Sequence, residues 1–281
     1  EKTGSKAQHL LQAGKYIWGG RSMKKIILIL ISCCFLILLG VGGWQLYQYW
    51  NESRQGNEMY TGLEDYIILP EDLLERVPNE DEPLNAQEAS PNWPEIDFTA
   101  LRQINPDIVG WLYCEDTPIN YPVVQGDDNS YYLKHLFDGT YNANGCLFLD
   151  CRVASDFSDT HSIIYGHHMQ NGSMLSSIDG YKNQDYYEMH PSLMLMTPNQ
   201  NYMVELFAGY VANVKDNAWE VGTRDELTWE SWMAAAIDRS TFTSDVSPAG
   251  NEKILTLSTC SYEFSNARFV VLGVLNPRPP E

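Results

Sequence analysis

Three residue types that together perform thiol chemistry occur at the ends of predicted strands. Cys260 ends an apolar strand over residues 254–259, and Arg268 opens the next predicted strand. Far upstream, His167 follows another strand-like run, residues 162–165, after Gly166. A cysteine and a histidine at strand ends, with an arginine on the neighbouring strand, are the components of a cysteine-dependent acyl-transfer site.

Each side chain has a defined task in that chemistry. The thiolate is the nucleophile, and a nearby imidazolium favours the thiolate and later protonates the leaving amine. Attack on an amide creates an oxyanion, which a guanidinium can stabilise because it stays charged and offers several donors. We therefore predict Cys260 as the nucleophile, His167 as the acid–base group and Arg268 as the oxyanion stabiliser. The backbone N–H of Ser261 is predicted as a second oxyanion donor.

Residue types and spacing alone leave simpler interpretations open. A lone cysteine at a strand end is more often inert than catalytic, a histidine after a strand is usually a polar surface residue, and the arginine can simply pair with an acid. The remaining cysteines do not resemble the disulfide framework of a small secreted domain. Those in the folded part are predicted to be buried thiols, with a Cys146–Cys151 disulfide as the less favoured alternative; they are Cys114, Cys146 and Cys151.

The composition indicates one folded domain with no affinity for nucleic acid. The chain has 281 residues, 44% of them hydrophobic, and a formal net charge of −19. Without an apolar N-terminal segment and an acidic linker, about 180 residues remain, which suffices for one domain with a sizeable core. Because phosphate binding requires a basic face, the charge argues against a nucleic-acid partner. It indicates a well-solvated surface, with attraction to a cationic partner as the minority interpretation.

The N-terminal part carries the pattern of a membrane anchor. Residues 1–22 are predicted to be a cytoplasmic or non-native extension, because Met23-Lys24-Lys25 resembles a natural start. Residues 23–50 are predicted to be a transmembrane anchor, since basic residues precede an apolar run of roughly 20 residues that ends in aromatic ones. A cleaved signal peptide is the alternative, which the length of the run disfavours. The positive-inside rule places the N-terminus in the cytoplasm and the remainder outside the cell.

Residues 51–97 and 98–281 differ in composition. The first segment is acidic and contains prolines, and we predict a linker or stalk with a weak amphipathic helix over residues 63–77. The second segment is predicted to be the catalytic domain. Its predicted strands are 108–113, 119–124, 146–149, 162–165, 193–197, 202–214, 254–259 and 269–275, and its predicted helices are 98–104, 129–137, 173–181, 184–189 and 225–239. This pattern predicts a mainly β fold, a closed or nearly closed barrel with short peripheral helices.

Several local sequences resemble the sortases, membrane-anchored cysteine transpeptidases of Gram-positive bacteria. The first two are Thr-Leu-Ser-Thr-Cys from residue 256, followed by an arginine, and Ile-Tyr-Gly-His from residue 164. Three further segments of the chain resemble class B sortases in particular. They are Asn-Pro-Asp-Ile-Val-Gly-Trp from residue 105, Tyr-Pro-Val-Val-Gln-Gly from residue 121 and Tyr-Gly-His-His-Met from residue 165. The resemblance runs from Asn105 to Leu275 and implies a sortase-type closed β-barrel.

The resemblance also implies roles for individual residues. In the family the histidine directly after Tyr-Gly is catalytic, which selects His167 over His168. Cys260 matches the nucleophile and Arg268 the arginine that opens the last strand. The positions that match substrate-groove residues of class B sortases are Asn129, Leu133, Tyr165 and Ser258, together with Trp219 in a groove wall. The resemblance implies no cofactor and no metal.

The activity implied by the resemblance takes place at the cell surface. A sortase cleaves a C-terminal sorting signal of a secreted protein, holds the product as a thioester on its cysteine, and transfers it to an amine. The amine usually belongs to a peptidoglycan precursor. A pilus-assembling sortase that uses a pilin lysine, a plain cysteine endopeptidase and a non-catalytic binding module are the alternative hypotheses.

Two details depart from the class B pattern. Class B members often have an acidic residue just after the cysteine, where this chain has Ser261 and Tyr262. Glu263 is a candidate substitute for that acid. The interval between Cys260 and Arg268 is also slightly short, which predicts a tighter connecting loop.

Overall fold

The structure is a computed structural model that describes residues 4–68, 93–222 and 225–278. It divides into two units, residues 1–52 and 53–281. Helix α1 spans Gly4–Leu63. The segment Met23–Tyr66 is long and apolar enough to cross a membrane, with a mean hydropathy of 2.9 in its most apolar window. The predicted anchor therefore coincides with a continuous helix of sufficient length.

The second unit contains a short ribbon and a closed barrel. The ribbon pairs β1 (Ile67–Ile68) with β2 (Glu95–Ile96). The barrel strands are β3 (Ile108–Tyr113), β4 (Asn120–Val124), β5 (Leu147–Leu149), β6 (His161–Tyr165), β7 (Ser192–Met196), β8 (Tyr202–Asn213), β9 (Ile254–Cys260) and β10 (Ala267–Pro277). Their order around the barrel is β10-β8-β7-β3-β4-β5-β6-β9. The pairs β4–β5 and β6–β9 are parallel, and the other neighbours are antiparallel. The predicted closed barrel is thus confirmed.

Strand β9 is buried along its length up to Cys260 because both of its faces are covered. Leu255 and Leu257 point into the barrel core, whereas Ile254 joins a second cluster outside the barrel. Helix α4 (Glu226–Asp238) supplies that cluster with Trp229 and Trp232, whose rings stack at 4.7 Å. A strand covered on both sides accepts apolar residues on both faces, and β9 carries adjacent leucine and isoleucine residues together with small hydroxyl residues.

The long strand β8 carries a bulge. Leu272 of β10 pairs with Ala208, but the next residue, Gly273, pairs with Leu206. Phe207 is therefore the extra residue, and it packs in the cluster beneath α4. A bulge bends the strand locally and helps a barrel to close.

Three of the predicted peripheral helices are confirmed. Helix α2 (Phe98–Ile104) and helix α3 (Gln184–Met189) lie where expected, and the Asp97 and Asn183 side chains cap their first turns. In α4 the apolar residue Ile237 is 44% exposed, whereas Trp229, Trp232 and Met233 are buried. At 3.6 residues per turn, that position lies at the edge of the buried stripe.

Two predicted helices are 3₁₀ turns instead. In place of the helix predicted over residues 173–181, the structure has a 3₁₀ helix over Ser176–Lys182. Residues 129–137 contain one only over Tyr131–Leu133, because Asp128 Oδ1 accepts the N–H groups of Ser130 and Tyr131 and starts a turn there. Such local side-chain bonds compete with an α-helix.

The described ends of the predicted stalk are part of the second unit. Tyr60 and Leu63, in the last turns of α1, are buried in the main core, and the Tyr60 ring meets Tyr121 edge-on at 5.3 Å. In the region of the predicted amphipathic helix, residues 64–66 form a 3₁₀ turn and β1 follows. Residues 69–92, and with them the rest of that helix and most of the stalk, lie outside the described residues.

Candidate active site

The ends of three neighbouring strands bring the predicted chemical residues to one edge of the barrel. Strand β9 lies between β6 and β10. Tyr165 of β6 pairs with Ser258 of β9 in parallel register, and His167 and Cys260 follow them at the same offset. Arg268 of β10 is directly opposite Cys260. Because parallel strands advance in step, Cys260 and Arg268 lie at the same edge of the barrel as the turn after β6 that carries His167.

Cys260 and Arg268 form a cross-strand pair, and both are partly exposed. Side chains directly opposite each other in antiparallel strands share one face, with Cβ atoms roughly 5 Å apart. Arg268 Nη1 donates a hydrogen bond of 2.9 Å to the carbonyl oxygen of Ala267. A guanidinium has several N–H donors, so this bond orients it and leaves donors for a bound carbonyl oxygen beside the thiol.

The ring of His167 is held by a backbone acceptor. Its Nε2 lies 2.7 Å from the carbonyl oxygen of Leu133. A carbonyl can only accept, so Nε2 carries the proton in this contact and Nδ1 is left to exchange a proton with a thiol. The preceding backbone is fixed as well, because Gly166 N–H donates to Ser258 O at 3.1 Å and the Thr259 hydroxyl donates to Gly166 O at 2.8 Å.

Gly145 supports the histidine from the side and leaves no room for a side chain. Its φ is +62°, and a Cβ there would lie 2.6 Å from Tyr132 O and 3.0 Å from His167 Cδ2. Its carbonyl accepts a hydrogen bond from the Tyr60 hydroxyl. The sequence analysis missed this glycine, since one glycine in a turn carries no signal of what packs against it.

The other cysteines of the domain are less suited to nucleophilic attack. Cys114 and Cys146 are buried free thiols, and burial raises their pKa values to about 11 and about 12. Cys151 is also free and partly buried. The prediction of buried thiols holds for Cys114 and Cys146, and the alternative Cys146–Cys151 disulfide does not form. A thiol with so high a pKa stays protonated near neutral pH.

The predicted groove residues surround the strand that carries the cysteine. Trp219 lies in a 3₁₀ turn after β8, and its indole N–H donates to Ser258 Oγ at 3.2 Å. Tyr165 pairs with Ser258 on the neighbouring strand. Leu133 contributes its carbonyl to His167, and the Asn129 side chain accepts from a backbone N–H at 2.8 Å. The structure therefore brings Tyr165, Ser258 and Trp219 together and places the other two beside the adjoining turns.

A turn that the sequence analysis did not single out connects these residues. It consists of residues 150–152 and follows β5. The Asp150 side chain is fully buried and is held by Arg152, whose Nε and Nη2 atoms donate at 2.9 and 2.7 Å. The Tyr165 hydroxyl donates to the same carboxylate at 2.8 Å, and Arg152 Nη2 also donates to Trp219 O at 3.1 Å. The backbone N–H of Cys151 is the group bound by Asn129.

The buried carboxylate remains charged because its partners outweigh its burial. Burial alone would raise the pKa of Asp150, but the Arg152 guanidinium and the bonds from Arg152 N–H, Asn129 and Tyr165 lower it to about 2. Burial and the neighbouring Asp150 charge raise the pKa of Tyr165, so its hydroxyl stays a donor. A paired, fully hydrogen-bonded ion of this kind fixes geometry around it.

Replacing Asp150 with asparagine is expected to make the free energy of unfolding depend less on pH between pH 5 and pH 2. The carboxyl has a lower pKa folded than unfolded, so its contribution is present above about pH 4 and is lost as pH falls toward 2. The shift corresponds to at most about 2 kcal/mol, because Arg152 is half-exposed. Urea unfolding between pH 5 and pH 2 measures this, with exposed Asp116→Asn as the control. Parallel pH curves for the unmodified chain and Asp150→Asn would contradict it.

The predicted second oxyanion donor is already engaged. Ser261 N–H donates to Ala267 O at 3.0 Å, because the β9–β10 pairing continues past the cysteine, so we correct that assignment. Glu263, the candidate substitute acid, accepts from the Ser261 hydroxyl and pairs with Lys182 at 2.7 Å. These partners lower the pKa of Glu263 to about 2.

The His168 side chain is bound by a carboxylate and an aromatic ring. Its Nε2 lies 3.2 Å from Asp179 Oδ2, and its ring meets Tyr262 edge-on at 5.4 Å. Asp179 also pairs with Lys182 at 2.9 Å. The second histidine of the His-His pair is thus part of a surface ion-pair network.

Comparison with known proteins places the chain among sortases. It is 36% identical over 177 residues to Sortase B of Listeria monocytogenes, covering 62% of this chain and 72% of the relative. It is 26% identical over 251 residues to Sortase B of Staphylococcus aureus, covering 89% and 96% respectively. A crystal structure of S. aureus Sortase B matches with a TM-score of 0.62 at 30% identity, covering 65% of this chain and 87% of that chain. No protein-family model matches.

The agreement extends to both sequence and architecture. The Listeria relative is matched over most of its length, and the staphylococcal structure has the barrel in common with this chain. On these grounds the chain belongs to the class B sortases and is a cysteine transpeptidase.

Proposed function

We propose that this transpeptidase cleaves a C-terminal sorting signal of secreted proteins through an acyl-enzyme on Cys260 and passes the acyl group to an amine of a cell-wall precursor. The observation that supports the proposal is the register of β6, β9 and β10, which pairs Cys260 with Arg268 and brings the turn that carries His167 to the same edge of the barrel. The partly exposed thiol between a base and a guanidinium suits attack on a peptide carbonyl.

The first half-reaction breaks the peptide bond. The Cys260 sulfur attacks the threonine carbonyl of the sorting motif, and His167 holds the thiol proton. As the tetrahedral intermediate collapses, the C–N bond breaks and His167 gives that proton to the leaving amine. The product is a thioester on Cys260 and a released C-terminal fragment. The contact between Nε2 and Leu133 O supports the role of Nδ1 as the proton carrier.

Arg268→Lys is expected to lower kcat/KM on the order of 10²-fold with little change in fold. The guanidinium would stabilise the oxyanion beside Cys260 while one of its nitrogens stays on Ala267 O. A lysine has the charge but not the fork that serves both partners. Steady-state kinetics on a sorting peptide measures the effect, and Arg102→Lys on the exposed face of α2 is the matched control. Full activity in Arg268→Lys would remove Arg268 from the mechanism.

The second half-reaction transfers the acyl group to an amine. The amine attacks the thioester, its proton passes to His167, and the cysteine leaves as a thiol after taking a proton back. Solved structures of an S. aureus sortase B–substrate complex and of Sortase B complexed with triglycine, each 30% identical to this chain, support a peptide donor and a glycine-type acceptor. A pilin lysine is the alternative acceptor.

The proposal includes a location at the outer face of the cell membrane. Residues 23–50 would anchor the chain with residues 1–22 in the cytoplasm, and residues 51–97 would connect the anchor to the catalytic domain, residues 98–281. The long apolar helix and the basic residues before it support this topology. An anchored enzyme would meet a lipid-linked acceptor and the substrate tail in one plane.

Product analysis with and without an amine tests the proposed function. The full chain in detergent is incubated with fluorogenic pentapeptides that have threonine at the cleaved bond, with triglycine as the amine. The expected result is an amide-linked peptide–triglycine product that replaces the hydrolysis product as triglycine increases. Hydrolysis that no concentration of triglycine diverts would indicate a cysteine endopeptidase.

A further inference from the structure

The predicted substrate-groove residues are connected in a closed ring of contacts. The Tyr165 hydroxyl bonds Asp150, Asp150 bonds Arg152, and Arg152 Nη2 bonds the Trp219 carbonyl. The Trp219 indole then bonds Ser258 Oγ, and Ser258 pairs with Tyr165 across the sheet. Each hydrogen bond in the ring is 3.2 Å or shorter. A shift of one member is therefore passed to the others.

We infer that Asp150 and Arg152 are a positioning pair that sets the wall of the peptide groove. Neither is a member of the catalytic set proposed above, and the inference rests on the proposed function only for the identity of the groove. The guanidinium is shared between a fully buried carboxylate and the backbone of the Trp219 turn, so it connects a fixed point of the barrel to the turn that follows β8.

The buried end of the pair supplies the fixed point. Asp150 accepts from the side chain and the N–H of Arg152 and from Tyr165, which satisfies a carboxylate that water does not reach. Its backbone carbonyl accepts from Gln125 Nε2 at 2.9 Å. Because the carboxylate cannot move without losing these bonds, it fixes the direction in which Arg152 extends.

The Trp219 turn has other anchors, which makes the inference testable without unfolding the chain. His161 Nδ1 lies 2.7 Å from Glu220 O, and Trp232 Nε1 donates to Asn217 O at 3.2 Å. Loss of the Arg152 bond would therefore loosen the wall beside Ser258 and leave the turn attached at its two ends. The affected step is the binding of the peptide, since Cys260, His167 and Arg268 lie outside the ring.

The test combines kinetics with a signal from Trp219 itself. The full chain in detergent is labelled with 5-fluorotryptophan, and the ¹⁹F resonance of Trp219 is assigned by its absence in Trp219→Phe. Arg152→Gln is expected to shift or broaden that resonance and leave the other tryptophan signals in place. The KM for a pentapeptide with threonine at the cleaved bond should rise about tenfold with kcat within about twofold, as expected when binding alone is weakened. The KM for triglycine should not change.

Two further variants keep the result interpretable. Arg102→Gln removes an exposed arginine on α2 and should leave the Trp219 resonance and the KM unchanged. Arg152→Lys keeps a cation beside Asp150 but cannot bond both partners as a fork, so it should move the same resonance without unfolding. An unchanged Trp219 resonance and KM in both Arg152 variants would overturn the inference. Changes spread over all tryptophan signals would also overturn it, by assigning Arg152 to general stability. If the unmodified chain processes no peptide, the proposed function fails, and the ¹⁹F spectra alone decide the positioning role.

Discussion

Cys260→Ala is expected to abolish both peptide cleavage and amide transfer, with a loss of activity on the order of 10⁵-fold or more. The two buried cysteines of the domain, Cys114 and Cys146, cannot take over, because burial raises their pKa values. Product formation measured by chromatography over long incubations gives the residual rate. The fold should stay intact, since the side chain is small and partly exposed at a strand end.

Cys151→Ala is the matched control for this result. Cys151 is the other partly exposed thiol of the domain, and it lies in the turn beside the groove rather than at the end of β9. Its removal should leave the rate of cleavage close to that of the unmodified chain. If Cys151→Ala lost activity while Cys260→Ala retained it, the nucleophile would be wrongly assigned.

His167→Ala is expected to lower kcat by roughly 10³-fold, because the thiol loses its base and the leaving amine its acid. The ring is oriented by its contact with Leu133 O, and an alanine supplies no group that can carry the proton in its place. Single-turnover rates at several pH values measure the loss and show whether the pH dependence of the first step disappears with the ring.

His168→Ala distinguishes the two adjacent histidines. Its side chain contacts Asp179 and Tyr262, so its removal should change the rate by less than about threefold. A larger loss in His168→Ala than in His167→Ala would reverse the assignment of the acid–base residue.

The position of Cys260, His167 and Arg268 at or near strand ends could be predicted, because each residue lies next to a strand-like run in the sequence. Strands buried on both faces, such as β9, contain apolar and small residues without charges, and a reactive residue at the end of such a strand lies at an edge of the sheet. The closed barrel could be predicted from the number of short strand-like segments in the sequence. The sequence does not show the pairing register of β6, β9 and β10. That register places Arg268 opposite Cys260 and brings the end of β6, before His167, beside β9.

The supporting residues could not be predicted from the same signals. Asp150 and Arg152 lie in a short polar turn, where charged residues usually face solvent, and only the fold shows that the carboxylate is buried. Tyr60 lies in a segment with few apolar residues, so its burial against Tyr121 depends on tertiary packing. The error on Ser261 has the same origin, since its N–H is used by a pairing that extends beyond the apolar run.

The most direct test of the proposed mechanism is to locate the covalent intermediate by tandem mass spectrometry. The full chain in detergent is mixed with a pentapeptide that has threonine at the cleaved bond, quenched in acid within the first turnover, and digested. The mechanism predicts the acyl fragment on the peptide that contains Cys260, and the loss of this adduct when triglycine is added before the quench. Consumption of the pentapeptide with no adduct on Cys260, or with the adduct on another residue, would contradict it.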